Sequence, residues 1–172
     1  MKLEPLHYSI LNTCTPVGAV TIGVSDKGLA WLAFGKDRFP HNWRGVEWVR
    51  SENETKAAVR QLTEYLQAKR KNFDLPLDLR GAEFHQKCWR RLLHIPYGKT
   101  KSYADIALEV GSPQGFRAVG QANHHNPVAI VVPCHRVLAS GAKLGGYGGG
   151  LPMKEFLLRL EGAEFEAPRL FD

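Results

Sequence analysis

Residues 130–137 read Ile-Val-Val-Pro-Cys-His-Arg-Val, an apolar run that stops at a proline and then presents a cysteine, a histidine and an arginine. The run predicts an extended buried segment ending at Pro133, because proline cannot donate to a strand ladder. Proline also fits the first turn of a helix, so we expect Cys134 where extended chain becomes helix. Unpaired amides and the helix dipole would favour a negative sulfur there. We interpret Cys134 as a nucleophile; the alternative is a buried structural cysteine beside a surface basic pair.

The composition is that of a globular protein with a sizeable core. The chain has 172 residues, of which 44% are hydrophobic and 10% aromatic, enough for one domain or two small ones. It contains no apolar run near the roughly 18 residues that cross a bilayer, and its start lacks a signal-peptide core. We therefore expect a cytoplasmic protein, or a nuclear one in a eukaryote. The three cysteines, Cys14, Cys88 and Cys134, are too widely spaced to indicate a disulfide framework.

The net charge of +6 is concentrated in one region of the chain. Between residues 85 and 143 only Asp105 and Glu109 are acidic, against eight basic residues: Lys87, Arg90, Arg91, Lys99, Lys101, Arg117, Arg136 and Lys143. Such a basic surface is typical of proteins that bind a polyanion such as nucleic acid. The alternative is a solvated basic face without a partner.

Residues 1–80 predict a supporting domain made of a small antiparallel β-sheet and a helix. An amphipathic helix is predicted over residues 52–69, because its apolar positions recur at helical spacing. Residues 73–79 contain an internal proline and predict an edge strand or an extended crossing, and residues 36–51 predict a loop. The three strands are separated by turn sequences and are predicted over residues 7–13, 19–25 and 28–34.

Residues 81–172 predict a mostly helical second domain, so the fold class is α+β. Helices are expected over residues 83–94 and 151–161, the latter closed by Glu161 before a glycine. Two short helices come between them, the first capped by Ser102 and the second covering residues 114–123 with Phe116 facing inward. Their tight glycine-containing connection and basic surroundings indicate a helix-turn-helix, although an ordinary core helix pair has the same pattern.

Several motifs occur in order across residues 83–162. They comprise Ser102-Tyr103, Arg117-Ala118-Val119-Gly120, Asn126-Pro127-Val128, Pro133-Cys134-His135-Arg136-Val137, the glycine-rich residues 145–150 around Tyr147, Lys154-Glu155-Phe156-Leu157-Leu158 and Glu161-Gly162. Together they resemble the O6-alkylguanine-DNA alkyltransferases. The first 80 residues fit that family's variable N-terminal domain more loosely.

The resemblance implies direct repair of double-stranded DNA by a protein that needs no cofactor. An alkyl group on guanine O6, and to some extent on thymine O4, would pass irreversibly to Cys134 after the nucleotide is flipped out. His135 would take the thiol proton through a water, and Glu161 would orient the histidine. Asn126 would stabilise the turn across the active site, and Tyr103 would donate a proton near O6 or N3. A single-use protein of this kind is expected to act as a monomer.

The resemblance also implies residues that bind DNA and residues that form the pocket. Arg117 would enter the base stack in place of the flipped nucleotide, and Tyr103 would press on the 3′ phosphate. The other expected DNA contacts are Ser102, Ala118, Gly120 and Arg136. The expected pocket residues are Asn123, Ala129, Val137, Tyr147, Gly148 and Gly149.

Three of these pocket positions depart from other members of the family. Gly148 stands where some members have serine, Asn123 where some have methionine and Ala129 where others have proline. These changes predict a roomier, more polar pocket that accepts bulky O6 groups. His7, Cys14 and His41 lack metal-ligand spacing, so no metal is predicted.

Two other functions share part of the pattern. A lesion-binding relative that recruits other repair proteins would lack the cysteine of the Pro-Cys-His-Arg motif, which is present here. A thiol hydrolase using Cys134, His135 and Glu161 would need an oxyanion hole and would turn over, and it would leave the Arg117 helix unexplained.

Overall fold

The computed structural model describes residues 4–167. The chain divides into two units, one formed by residues up to Arg80 together with Pro127–Ala129, and the other by Gly81–Asn126 and the residues from Ile130 onward. No helix of the described residues is long and apolar enough to span a bilayer.

The first unit is a four-stranded sheet with one helix. Its elements are β1 (Leu6–Asn12), β2 (Ala19–Ser25), β3 (Gly28–Phe34), β4 (Trp48–Arg50) and α1 (Glu52–Leu66). The spatial strand order is β3-β2-β1-β4, and α1 packs on β1 and β2, where the buried Thr55 Oγ1 donates to Ser9 Oγ at 2.6 Å. Leu6, Ile22 and Leu62 lie in the core of this unit.

The sheet is mixed, whereas the sequence predicted an antiparallel one. Strands β1, β2 and β3 pair antiparallel as expected, but β4 pairs parallel to β1. The error arose because β4 has only three residues inside a charged, tryptophan-rich stretch, too few to show a period of two. Helix α1 also ends at Leu66, three residues earlier than predicted, and Ala68 follows it at a φ of +57°.

The segment predicted as an edge strand or extended crossing lies along the edge of β3. Leu29 N–H donates to Pro76 O at 2.8 Å, and Asp78 N–H donates to Leu29 O at 2.9 Å. Gly28 has a φ of +139°, and a Cβ there would collide with the carbonyl of Pro76. Only glycine therefore combines this backbone conformation with the close approach of the two segments.

The second unit is mostly helical, as predicted. Its elements are α2 (Glu83–Leu92), β5 (Lys101–Ser102), α3 (Tyr103–Glu109), α4 (Phe116–His124), β6 (Val137–Leu138) and α5 (Leu151–Leu160). Strands β5 and β6 form a parallel pair that places the start of α3 beside the residues that follow Cys134. The Trp89 indole on α2 donates to Ala122 O on α4 at 2.7 Å and so links these two helices.

Helices α3 and α4 form the predicted helix-turn-helix outline. Ser102 caps α3 in a reciprocal arrangement with Asp105: its hydroxyl accepts from Asp105 N–H at 3.0 Å, and Ser102 N–H donates to the Asp105 carboxylate at 2.8 Å. Helix α4 begins at Phe116, two residues later than expected. Phe116 is 44% exposed, so the prediction that it faces inward was wrong.

The residues before Cys134 are buried but not extended. Ile130 lies at a φ of +71°, and the chain turns at Ile130 and Val131 instead of continuing as a strand. Cys134 then begins a single 3-10 turn, Cys134–Arg136, instead of an α-helix. The apolar run predicted burial correctly, but apolar composition alone does not distinguish a buried turn from a buried strand.

Candidate active site

The Cys134 thiol lies in a nearly closed environment and contacts one amide side chain. Cys134 is 7% exposed, and the Asn126 amide nitrogen donates both to Val132 O at 2.8 Å and to the sulfur at 3.2 Å. Asn126 therefore holds the turn that presents the cysteine and also contacts its reacting atom. The sequence predicted that Asn126 stabilises the turn across the active site; the hydrogen bond to Val132 O is present, and the role itself stays a prediction.

The resting thiol is protonated, contrary to the prediction of a negative sulfur. Burial raises the pKa of Cys134, and the opposing hydrogen bond from Asn126, the charge of Lys154 and the backbone N–H groups of Cys134 and His135 do not reverse this. A three-residue 3-10 turn is also too short to supply a substantial helix dipole. A thiolate must therefore be generated by proton transfer during the reaction.

His135 is oriented by a buried carboxylate. Its Nε2 lies 2.9 Å from Glu161 Oε1, and both side chains are fully buried. Burial lowers the pKa of His135 despite the hydrogen bond to Glu161, so the imidazole is neutral at pH 7. With Nε2–H donating to Glu161, Nδ1 is the basic nitrogen. The sequence predicted His135 as a base and Glu161 as its orienting carboxylate; the contact between them is present, and the two roles stay predictions.

Glu161 is an anion at every ordinary pH. Burial raises its pKa, but hydrogen bonds from His135 and Arg136 outweigh burial and hold the pKa well below its usual range. The carboxylate also accepts the N–H of Gly98 at 3.1 Å. Glu161 forms the C-cap of α5, so the end of this helix fixes its position.

Arg136 is part of this ionic cluster and does not lie on a DNA-binding surface, so its predicted DNA contact is not supported. Its Nε and Nη2 donate to Glu161 at 2.9 and 2.8 Å, and its Nη1 donates to Ile95 O at 2.6 Å. The residue is only 7% exposed. The sequence analysis counted Arg136 among the basic surface residues. In the structure Arg136 is buried and pairs with Glu161.

The sulfur lies at the wall of a cavity of about 460 Å³. Burial and the neighbouring Cys134 raise the pKa of Tyr103, with an opposing contact from Asn123. Tyr103 therefore keeps its proton and can act as a donor. The cavity is lined by Tyr103, Gly120, Gln121, Asn123, His124, Cys134, Gly146, Tyr147 and Gly148.

Three predicted pocket residues do not line this cavity. Ala129 is 9% exposed, and its N–H donates to Leu32 O, at the edge of β3. Val137 is completely buried in β6, and its carbonyl accepts from Lys154. Gly149 is absent from the lining, whereas its neighbour Gly148 is present. Sequence reasoning also missed Gln121 and His124, which follow Gly120 along the cavity side of α4.

Lys154 is a buried cation to which the sequence gave no role. It is completely buried on α5, and its Nζ donates to the carbonyls of Val137 (2.7 Å), Leu144 and Gly146 (3.3 Å). Burial lowers its pKa to about 8, although Cys134 opposes the shift. Lys154 thus ties the start of the glycine-rich loop to β6 and places a positive charge near the sulfur. The sequence did contain a sign of this role, because Lys154 lies at a position of α5 where helical spacing predicts a core residue.

Apart from Arg136, the expected DNA-contacting residues lie on α3, at its N-cap, or on α4. Phe116, Arg117 and Ala118 are exposed in succession at the start of α4, and Gly120 reaches the cavity. The Ser102 side chain is engaged in capping α3. The basic surface is smaller than the sequence count suggested, because Arg91 and Lys101 both pair with Glu109.

Residues 83–163 match the DNA binding domain of 6-O-methylguanine DNA methyltransferase, and residues 6–79 match its ribonuclease-like domain. The chain belongs to the 6-O-methylguanine DNA methyltransferase family.

Curated relatives and solved structures match over nearly their full length. The methylated-DNA–protein-cysteine methyltransferase of Methanosarcina barkeri is 42% identical over 91% of this chain and 97% of its own. That of Mycolicibacterium paratuberculosis is 46% identical over 86% and 88%. The crystal structure of Mycobacterium tuberculosis OGT in complex with DNA matches with a TM-score of 0.81 at 42% identity, covering 91% of this chain and 92% of that one.

Within residues 4–167 the structure contains no group of three or more histidine, cysteine or acidic side chains arranged to bind a metal. Cys14 is exposed, and Cys88 is buried on α2, where burial raises its thiol pKa. Cys134 is the only cysteine that lines the cavity.

Proposed function

We propose that this protein repairs O6-alkylguanine in double-stranded DNA by transferring the alkyl group irreversibly to Cys134, and that O4-alkylthymine is a secondary substrate. The observation that carries the proposal is a cysteine at the wall of a cavity, contacted by Asn126 and followed by a His135–Glu161 pair. The family membership and the DNA complex of a relative support the same reaction.

The proposed reaction begins by flipping the damaged nucleotide, since O6 cannot be attacked inside the base stack. Arg117 on the exposed start of α4 fills the gap left in the duplex. The Cys134 proton passes to His135 through a water, because side chains of adjacent residues point apart. Glu161, held as an anion, stabilises the imidazolium that forms.

The alkyl transfer then breaks one bond and forms another. Sulfur forms a bond to the alkyl carbon as the carbon–O6 bond breaks, and the electron pair remains on the guanine. Tyr103 donates a proton near O6 or N3, which makes guanine a better leaving group. Because the thioether has no route back to a thiol, each molecule acts once. We propose that it acts as a monomer, in the compartment that contains the genome.

The pocket supports acceptance of bulky O6 groups. Gly148 lines the cavity, and no atom lies within 4 Å of the position that its Cβ would occupy. This open space accommodates substituents larger than methyl. An O6-benzyl rate more than about a thousandfold below the methyl rate would contradict this part of the proposal.

The experiment that tests the proposal is intact mass measurement after incubation with an oligonucleotide duplex containing O6-methylguanine. We expect a gain of about 14 mass units, from replacement of S–H by S–CH3, limited to one per molecule. The Cys134→Ser control should show no gain. Lesion binding without a mass change in wild type would favour a recognition protein, and loss of both would favour a hydrolase.

A further inference from the structure

The start of α4 exposes an aromatic side chain beside a cation. Phe116 is 44% exposed although its spacing to the buried Val119 and Ala122 predicted a core position. Side chains in a helix point toward its N-terminus. Phe116 is the first residue of α4, directly after the N-cap residue Gly115. No preceding helical turn therefore covers the ring.

Phe116 also lines a groove that shares part of its wall with the cavity at Cys134. The groove has a volume of about 430 Å³ and shares Tyr103, Gly120 and Gly146 with the cavity that contains Cys134. Its other lining residues are Ser102, Ala104, Phe116, Ala139 and Ser140. A strand of DNA that places one nucleotide in the cavity would therefore bring an adjacent nucleotide to Phe116.

The charge at this position fits a nucleic acid. The Arg117 guanidinium carbon lies 5.9 Å from the centre of the Phe116 ring, and no carboxylate of the described residues pairs with it, since Arg117 is absent from all ion pairs seen there. An aromatic face next to an unpaired arginine is a combination that binds unstacked bases.

We propose that Phe116 stacks on the nucleobase next to the extruded nucleotide and so stabilises the flipped state of the DNA. This inference rests on the proposed repair function, and it adds a second stacking residue to Arg117. Flipping one nucleotide removes a stacking partner from its neighbour, which costs free energy. The Phe116 ring replaces that partner, while Arg117 supplies charge and fills the gap.

A single exposed phenylalanine is not unusual by itself, so the test must separate stacking from general hydrophobicity and from folding. All variants are made in the full chain with Cys134→Ser, so that binding is measured without alkylation. The probe is a duplex with O6-methylguanine next to 2-aminopurine, whose fluorescence reports unstacking. The variants are Phe116→Leu, Phe116→Tyr and, as a control on another exposed apolar residue, Leu108→Ala, since Leu108 is 66% exposed on α3.

For Phe116→Leu we expect affinity to fall about tenfold, the usual effect of losing one base–aromatic stack. The loss should be equal from 50 to about 200 mM salt, because stacking releases no counterions. The 2-aminopurine signal of the bound duplex should change, while Phe116→Tyr and Leu108→Ala keep wild-type affinity. The melting temperatures of all three should match that of the parent.

Two results would overturn the inference: Phe116→Leu binding within twofold of the parent, or Phe116→Tyr binding as weakly as Phe116→Leu. The second would indicate apolar packing, not stacking. Failure of the proposed function is a separate result, because it appears as absence of methyl transfer to wild-type Cys134 in the mass experiment, whatever Phe116 does.

Discussion

Helix α5 carries two buried ions that are stabilised in opposite ways. Glu161 at its C-cap is an anion that accepts hydrogen bonds from the cationic Arg136 and from the neutral His135. Lys154, in its N-terminal half, is a cation whose hydrogen-bond acceptors among residues 4–167 are backbone carbonyls. A buried ionic group that pairs with an opposite charge stays ionised over a wide pH range. A buried ammonium group that contacts only carbonyl dipoles has a lowered pKa and loses its proton more easily. The charge of Glu161 is therefore constant near neutral pH, whereas the charge of Lys154 changes with pH in that range.

The largest expected effect comes from removing the countercharge of the anionic cluster. Glu161→Gln leaves Arg136 buried without a carboxylate and His135 without its orienting partner. We expect unfolding free energy to fall by about 3–5 kcal/mol, the usual result of breaking a buried ion pair. Alkyl transfer should slow by about a hundredfold or more, since the base is no longer aligned.

Urea unfolding and single-turnover transfer kinetics measure these two effects. Arg136→Met combined with Glu161→Gln is the matched control, because it removes the stranded charge. If the double variant recovers most of the stability but not the rate, the stabilising and catalytic roles of Glu161 are separate. Equal stability of wild type and Glu161→Gln would show that the cluster is not a paired ion.

A smaller effect is expected at Lys154, because its removal leaves no buried charge behind. Lys154→Met fills a similar volume but deprives three carbonyls of a donor, so unfolding free energy should fall by about 1–3 kcal/mol. Loss of the positive charge near the sulfur should raise the thiol pKa further and slow transfer by about tenfold.

The pH dependence of the transfer rate checks the electrostatic part of this prediction. Its rising limb should move to higher pH in Lys154→Met, and the exposed Lys143→Met should leave it unchanged. A uniform loss of rate at all pH values would mean that Lys154 acts only by holding the glycine-rich loop in place.

Both ions should make stability rise with pH, but in different pH ranges. The folded pKa of Glu161 is depressed, so its contribution is complete above its unfolded pKa of about 4.3 and is lost only as pH falls through the folded pKa. The folded pKa of Lys154 is about 8 against a usual 10.5. Between those values the unfolded chain binds more protons, so this residue makes stability rise with pH.

The difference between wild type and Lys154→Met isolates the lysine from the other groups that titrate in that range. Burial raises the pKa values of Cys134 and Tyr103, so both make stability fall as pH rises in alkaline solution. We expect the stability gap between the two proteins to widen by up to about 3 kcal/mol from pH 8 to pH 10. A constant gap would contradict the lowered lysine pKa.

The contrast between these ions also shows what sequence could and could not predict. The β-rich segments of β1 to β3 between turn sequences, the Ser102 cap and the Pro-Cys-His-Arg motif are local patterns, and local patterns can be recognised in the sequence. The partner of Arg136 is 25 residues away along the chain, and the acceptors of Lys154 are backbone carbonyls, which have no sequence signature. Sequence therefore predicted the candidate reactive residues but misassigned Arg136 and overlooked Lys154.

The predictions for Phe116 and for the residues of β4 were wrong for a related reason. The inward orientation of Phe116 followed from helical spacing, which holds only where a preceding turn exists to cover the side chain. Strand β4 has three residues, and its pairing with β1 is a tertiary contact that overrides weak local preference. Both errors arise at element ends, where periodicity carries the least information.

The smallest effect is expected for an exposed ion pair within α5, which tests whether burial, and not the helix itself, gives Glu161 its importance. Glu155 and Arg159 form an i,i+4 pair at 2.7 Å, with 61% of the arginine side chain exposed. Glu155→Gln should change unfolding free energy by less than about 0.5 kcal/mol, because water solvates the arginine that remains. The same carboxylate-to-amide change thus costs several times less here than at position 161. Urea unfolding of the two variants side by side measures that ratio, and similar losses would mean that α5 is sensitive to any substitution and that the buried cluster has no special role.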